Sequence, residues 1–317
     1  MRLRRDILLF GAVAVAAVTV GWWLLANRPG AAIEAFQQEQ RQLAESKRAR
    51  LPPADAFRAT VCASSTCVAV EVGGLTFVFG AGSGAAEGVA RLGLMHPTID
   101  ALLLPDLRLE TVEGLPAIAR ASAHAGRAGP LTVFGPSGVV PVADGANLMV
   151  AGTERARLTV AIEGEDQGQA GRLLFDSGVV TIRGFGAAER GASRVYRVDF
   201  NDRSLILAGC LAQAAEIVNA ARDAASPALV SFAGSRKLMA GETQCVDLDD
   251  LVQAVRQMQI PLAVVVPADR PLDGVIAVAA WRDLVLSASL PALQLGGMGA
   301  TVDLVSETPR FAQDPVR

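Results

Sequence analysis

The side chains best suited to chemistry lie in one short loop and at one cysteine. Asp106, Arg108 and Glu110 alternate along Pro105-Asp106-Leu107-Arg108-Leu109-Glu110-Thr111, and Cys210 follows the apolar run Leu205 to Ala208. Two carboxylates and a thiolate form a donor set for a divalent cation. Arg108 argues against that use, because a guanidinium in the same loop competes for the carboxylates. Histidine, a common metal ligand, is scarce: the chain holds two, His96 and His124. The first stands in the turn sequence Met95-His96-Pro97 and the second in a helical stretch, so both read as surface residues. Gly80-Ala81-Gly82-Ser83-Gly84 opens a helix, as phosphate-cradling loops do. It lacks the lysine of a P-loop and reads as a strand-to-helix turn. Gly135-Pro136-Ser137-Gly138 does not match a nucleophile elbow.

These residues sit between elements that the pattern defines. Val68 to Val72 and Leu75 to Phe79 flank Gly73-Gly74, a strong hairpin signal. A helix is expected from Ala85 to Leu92, a buried strand over Ile99 to Leu104, then a helix through Ala125. Strand Leu131–Phe134 follows Gly129-Pro130, and Val139 to Gly164 is mixed. A second strand-rich half comprises Arg172–Phe175, Val179–Arg183, Ser193–Asn201 and Arg203–Ala208, with Asn201-Asp202 as a hairpin turn. Helices over Ala212–Ala224 and Leu248–Gln257 alternate with strands Ala228–Phe232 and Leu262–Val266. The tail is expected to add short strands at Val275–Ala279, Leu284–Leu286 and Thr301–Val305. Hairpins with interspersed helices, twice over, predict an α+β chain with two packed sheets and helices outside.

Composition sets further bounds. With 51% hydrophobic and 19% charged residues, the chain has the apolar content for a large core and is not a disordered sequence. Net charge is −3 with acids and bases interspersed, which excludes the clustered basic surface of a nucleic-acid binder. The four cysteines suit an oxidising compartment. Cys62 and Cys67 flank a turn-like Ala-Ser-Ser-Thr, so a local bridge is the natural pairing, leaving Cys210–Cys245; the alternative is four small buried thiols.

The first segment points to a membrane. Arg2, Arg4 and Arg5 precede the uncharged run Ile7 to Ala26, and about 20 apolar residues span a bilayer as a helix. The basic flank should remain cytoplasmic, with the body of the protein on the other side, and Trp22-Trp23 should sit at the far interface. A cleaved export signal, giving a soluble exported protein, is the alternative. Residues 31–56 read as a juxtamembrane helix and linker ending at Leu51-Pro52-Pro53. The expected organisation is 1–30 basic flank and anchor, 31–56 linker, 57–317 globular domain.

The segment Ala101 to Ala117, strand then loop then Gly114-Leu115-Pro116, resembles the signature of metallo-β-lactamase fold hydrolases, in particular the arylsulfatase and ribonuclease Z-like branch. That family reads T-H-x-H-x-D-H before I-x-G-L-P. Phe79-Gly80-Ala81-Gly82 stands where it has F-D-x-G, Tyr196-Arg197-Val198 for Y-R-I, Ser204 to Cys210 for a strand and S-G-D-T, and Leu262 to Pro267 for a strand ending in T-H. The resemblance spans about Thr60 to Val305 and implies an αββα sandwich. It also implies where zinc ligands would stand: the first aspartate falls on Gly80, the loop histidines on Asp106, Arg108 and Thr111, the loop aspartate on Glu110, the bridging aspartate on Cys210 and the last histidine on Pro267. A further histidine belongs near Ala187–Arg190, where there is none.

The sequence therefore predicts a hydrolase frame with its metal ligands lost, no cofactor, and a binding or scaffolding role outside the inner membrane. The alternative is a hydrolase rebuilt around Asp106, Glu110 and Cys210 with a weakly held divalent metal. The expected partners are the membrane through residues 7–26 and a second copy or an active paralogue; no nucleic acid is expected.

Overall fold

The computed structural model describes residues 52–63, 66–94, 98–150, 156–162, 171–186, 193–239, 245–268, 275–306 and 308–313. The strands are Phe57–Val61 (β1), Val68–Val72 (β2), Leu75–Phe79 (β3), Ile99–Leu103 (β4), Leu131–Phe134 (β5), Leu158–Ile162 (β6), Arg172–Asp176 (β7), Thr181–Phe185 (β8), Val195–Phe200 (β9), Arg203–Ala208 (β10), Pro227–Ala233 (β11), Leu262–Pro267 (β12), Leu293–Leu295 (β13), Ala300–Asp303 (β14) and Arg310–Gln313 (β15). The helices are Ala85–Arg91 (α1), Leu109–Val112 (α2), Leu115–His124 (α3), Val139–Met149 (α4), Ala214–Ala221 (α5), Arg236–Met239 (α6), Leu248–Gln257 (α7) and Val275–Ser287 (α8).

Two sheets form. One runs β15-β14-β1-β2-β3-β4-β5-β6 and the other β13-β12-β11-β10-β9-β8-β7. Each joins an antiparallel half to a parallel half: β3 to β6 are parallel in the first, β10 to β13 in the second. The hairpins follow from their turns. Gly73 and Gly74 have φ of 58° and 81°, and Asn201 and Asp202 have 48° and 56°, the left-handed values that tight two-residue turns require and that Gly, Asn and Asp tolerate.

The layers follow from alternation along the strands. Val68, Val70 and Val72 of β2 face Tyr196, Val198, Leu205 and Leu207 of the other sheet in one core, together with Phe77, Phe79 and Phe232. On the outer face of the first sheet, Val78, Leu102 and Val133 pack under Val89, Ile118 and Ala143 of α1, α3 and α4. On the outer face of the second, Ile206, Leu229 and Val265 pack under Ile217, Leu251 and Trp281 of α5, α7 and α8. This is the expected helix–sheet–sheet–helix sandwich. Each buried Leu, Val or Phe contributes about 1.5–3 kcal/mol, so the stability rests on these three clusters.

Some sequence expectations are corrected. Val275–Ala279 and Leu284–Leu286 are not strands but parts of one helix, α8. Trp281 and Val285, four residues apart, both turn inward at 2% and 8% exposure, which is the helical period; their β-branched and apolar neighbours had suggested strands. The helix expected over Ala212–Ala224 is confined to Ala214–Ala221: Gln213 and Glu216 form a capping box at its start, and the backbone turns extended at Arg222. Val139 to Gly164 resolves into α4 and β6, and Phe57–Val61, unassigned from the pattern, is a central strand. Residues 7–26 lie outside the described residues, and no described helix is long and apolar enough to cross a membrane.

Candidate functional site

The candidate residues are placed by strand ends. β3, β4 and β5 run parallel and end at Phe79, Leu103 and Phe134. The chain then passes into the turns that carry Ala81, Pro105-Asp106 and Gly135. From the other sheet come the approach to β9, at Ser193-Arg194, and the ends of β10, β11 and β12, at Gly209-Cys210, Gly234 and Pro267. The two sheets touch here. Asp106 and Ser193 form an antiparallel bridge, and Arg194 N–H donates to the Pro105 carbonyl at 2.7 Å. A Cβ on Gly209 would lie 2.4 Å from Pro105 Cβ, so only glycine allows β10 to approach the loop this closely.

Asp106 is completely buried. Its Oδ1 accepts the Arg108 backbone N–H at 3.1 Å, a turn made by the side chain. The Arg108 guanidinium adds longer contacts of 3.4 and 3.5 Å. Arg108 thus pairs with Asp106 as its position in the loop suggested, with the backbone amide the nearer partner. Glu110 is exposed on α2 and makes no hydrogen bond or ion pair with a described residue, so it does not converge on Asp106. Thr111 is turned inward and fully buried; its carbonyl accepts Ala81 N–H at 2.8 Å. Its Oγ1 has no hydrogen-bond partner among the described residues.

Gly80 has φ +73°, and a Cβ there would lie 2.4 Å from the Thr66 carbonyl oxygen. Cys210 is bonded to Cys245, and Cys62 to Cys67, with Cα separations of 4.3 and 5.3 Å; both expected pairings form. Pro267 ends β12 beside Ala233. His124 is exposed at the end of α3, and His96 and Ala187–Arg190 lie outside the described residues.

This donor set does not fit a zinc ion, which needs about four N, O or S ligands. Gly80 and Pro267 offer no donor atom, the Cys210 sulfur is committed to a disulfide, and Arg108 brings a positive charge. No three His, Cys, Asp or Glu side chains come together as a metal site among the described residues.

Two residues dominate the centre: Arg194, which sequence reasoning did not single out, and Tyr196, which it quoted only as part of a strand motif. Arg194 is 2% exposed; its Nη1 donates to the Gly135 carbonyl, and its stem covers Gly184. Tyr196 is fully buried and its hydroxyl reaches the Leu104 and Phe134 carbonyls at 2.8 and 3.2 Å. Both lie within Ser193–Asn201, where alternation marked the strand but gave no sign that an arginine would face inward.

Comparison with solved structures agrees with this geometry. The fold superposes on the metallo-β-lactamase fold protein YhfI from Bacillus subtilis with a TM-score of 0.60 and 9% identity, covering 78% of this chain and 100% of that one. It superposes on the short form of human tRNase Z with a TM-score of 0.59 and 13% identity, over 78% and 96% of the two chains. A diphosphatase of the PhnP family gives 0.55 and 13%, over 75% and 83%. No family model and no curated protein matches the sequence. The chain has the metallo-β-lactamase fold.

Proposed function

We propose that this is a membrane-anchored protein of metallo-β-lactamase fold that has exchanged hydrolysis for a non-catalytic binding or scaffolding role outside the inner membrane. The observation that carries the reading is the state of the former ligand positions. Cys210 is tied to Cys245, Gly80 has no room for a side chain, and the buried Asp106 is held by its own loop through Arg108. The uncharged run 7–26 and its basic flank support the anchor, and the two disulfides suit an extracytoplasmic domain. The ligand would be a second copy of the chain or an active relative, recovered by co-purification from native membranes.

The experiment is metal analysis of the purified full-length protein, paired with assays on phosphodiester, sulfate ester and β-lactam substrates. The expected result is metal well below one equivalent and no metal-dependent turnover. One equivalent of tightly held metal with turnover lost on chelation would refute the non-catalytic reading. Separately, release of the protein by salt wash without detergent would refute the anchor.

A further inference from the structure

We propose that Arg194 is the internal crosspiece of the strand-end site: a single buried guanidinium that holds the turns after β4 and β5 against the second sheet, so that the chain closes this end of the sandwich with a cation of its own. The inference stands whether or not the site is catalytic.

Contacts from both sheets meet at this residue. Its backbone N–H donates to the Pro105 carbonyl at 2.7 Å, fixing the start of the Asp106 loop. Its Nη1 donates to the carbonyl of Gly135, fixing the turn between β5 and α4. Its stem lies on Gly184 of β8, where a Cβ would come 2.8 Å from Arg194 Cδ and 3.2 Å from Nε. Thus the backbone serves one turn of the first sheet, the side chain serves the next, and the second sheet supplies a bed with no side chain of its own. Lysine has the charge but not the planar fork of donors. Methionine fills the stem's volume and leaves the Gly135 carbonyl without this donor. Donors carrying charge make hydrogen bonds worth about 1.5–3 kcal/mol, so the loss should be felt first at the turn after β5 rather than throughout the core.

The test uses the full-length protein and amide hydrogen exchange. In Arg194→Met, the amide of Val139, which reports the turn held by the side chain, should exchange about tenfold faster or more, while the amide of Arg108, whose loop is held by the backbone N–H that methionine keeps, should change much less. Amides of Leu207 and Val230, in the paired interior of β10 and β11, should keep wild-type rates. Arg194→Ala should melt at a lower temperature than wild type. Millimolar methylguanidinium should restore part of that loss while leaving wild type and an Arg120→Ala control unchanged, since Arg120 is exposed on α3. Gly184→Ala should destabilise wild type more than it destabilises Arg194→Ala, because the added methyl meets the arginine stem.

Wild-type exchange at Val139 in Arg194→Met would overturn the proposal. So would a uniform rise across β10 and β11, which would mark general loosening. If Arg194→Ala does not fold, the exchange pattern of Arg194→Lys decides by the same two criteria.

Discussion

The Tyr196 hydroxyl lies 2.8 Å from the Leu104 carbonyl, joining β9 of one sheet to the end of β4 in the other. The phenol ring is fully buried and meets Phe79 edge-on, with ring centroids 6.0 Å apart. Tyr196→Phe keeps that contact and removes only the hydroxyl. The Leu104 carbonyl then loses a buried donor, at a cost of about 1–3 kcal/mol. Urea denaturation should show a lower midpoint with an unchanged slope, because the core itself is not altered. An unchanged midpoint would mean that the bond contributes nothing net.

Restoring an acid at the position where the fold's hydrolases carry their first aspartate should not restore a site. Gly80 has positive φ and its Cβ position collides with the Thr66 backbone oxygen at 2.4 Å. Gly80→Asp must therefore move the segment at Thr66 or the end of β3. Backbone strain of this kind costs of order 1–3 kcal/mol before any clash is relieved. Thermal denaturation is expected to show a clear loss, with no gain in zinc affinity by calorimetry. A variant as stable as wild type that binds zinc would show that the glycine is not enforced by packing.

Much of this architecture is legible in the sequence. Gly73-Gly74 and Asn201-Asp202 announce their hairpins because φ > 0 is needed at both residues, and the short spacing of Cys62 and Cys67 announces their bridge. Local rules failed where tertiary contacts decide. Val275, Ile276 and Val278 carry strand propensity, yet Trp281 and Val285 are buried at helical spacing against the second sheet. At the candidate site, the Asp106–Arg108 pair was readable because it forms within a single loop. Arg194 was not readable: an arginine in an alternating strand reads as solvent-facing, and its burial depends on Gly184 of a neighbouring strand and on Gly135 of the other sheet.

The two disulfides should differ in weight. Cys210 and Cys245 are separated by 35 residues in sequence, and Cys62 and Cys67 by 5. Loop-closure entropy in the unfolded chain then favours the first bridge, about 4 kcal/mol against about 2 kcal/mol in the chain-entropy model. The double variant Cys210→Ser, Cys245→Ser should therefore lose more stability than Cys62→Ser, Cys67→Ser, compared at the same pH by denaturant midpoints. The reverse order would show that the Cys62–Cys67 hairpin, packed under Gly88 of α1, matters through native contacts rather than through the unfolded chain.

Asp100, at the start of β4, sets a pH dependence. Desolvation raises its carboxyl above the usual range, opposed by the Thr76 N–H that donates to it at 2.7 Å and by the positive charge of Arg127. With the folded pKa above the unfolded one, the folded state holds more protons across the interval between them. This carboxyl's contribution to stability is therefore greatest below the unfolded value and declines as pH rises through the folded one. Asp100→Asn keeps an oxygen acceptor for Thr76 and removes the charge. The variant should be at least as stable as wild type at neutral pH, and its advantage should disappear as pH falls below the ordinary carboxylate range. Arg127→Gln should move the Asp100 titration higher still, since the opposing positive charge is gone. Carbon NMR titration of the side-chain carboxyl reads both effects directly, and a value for Asp100 at or below that of the exposed aspartates would contradict them.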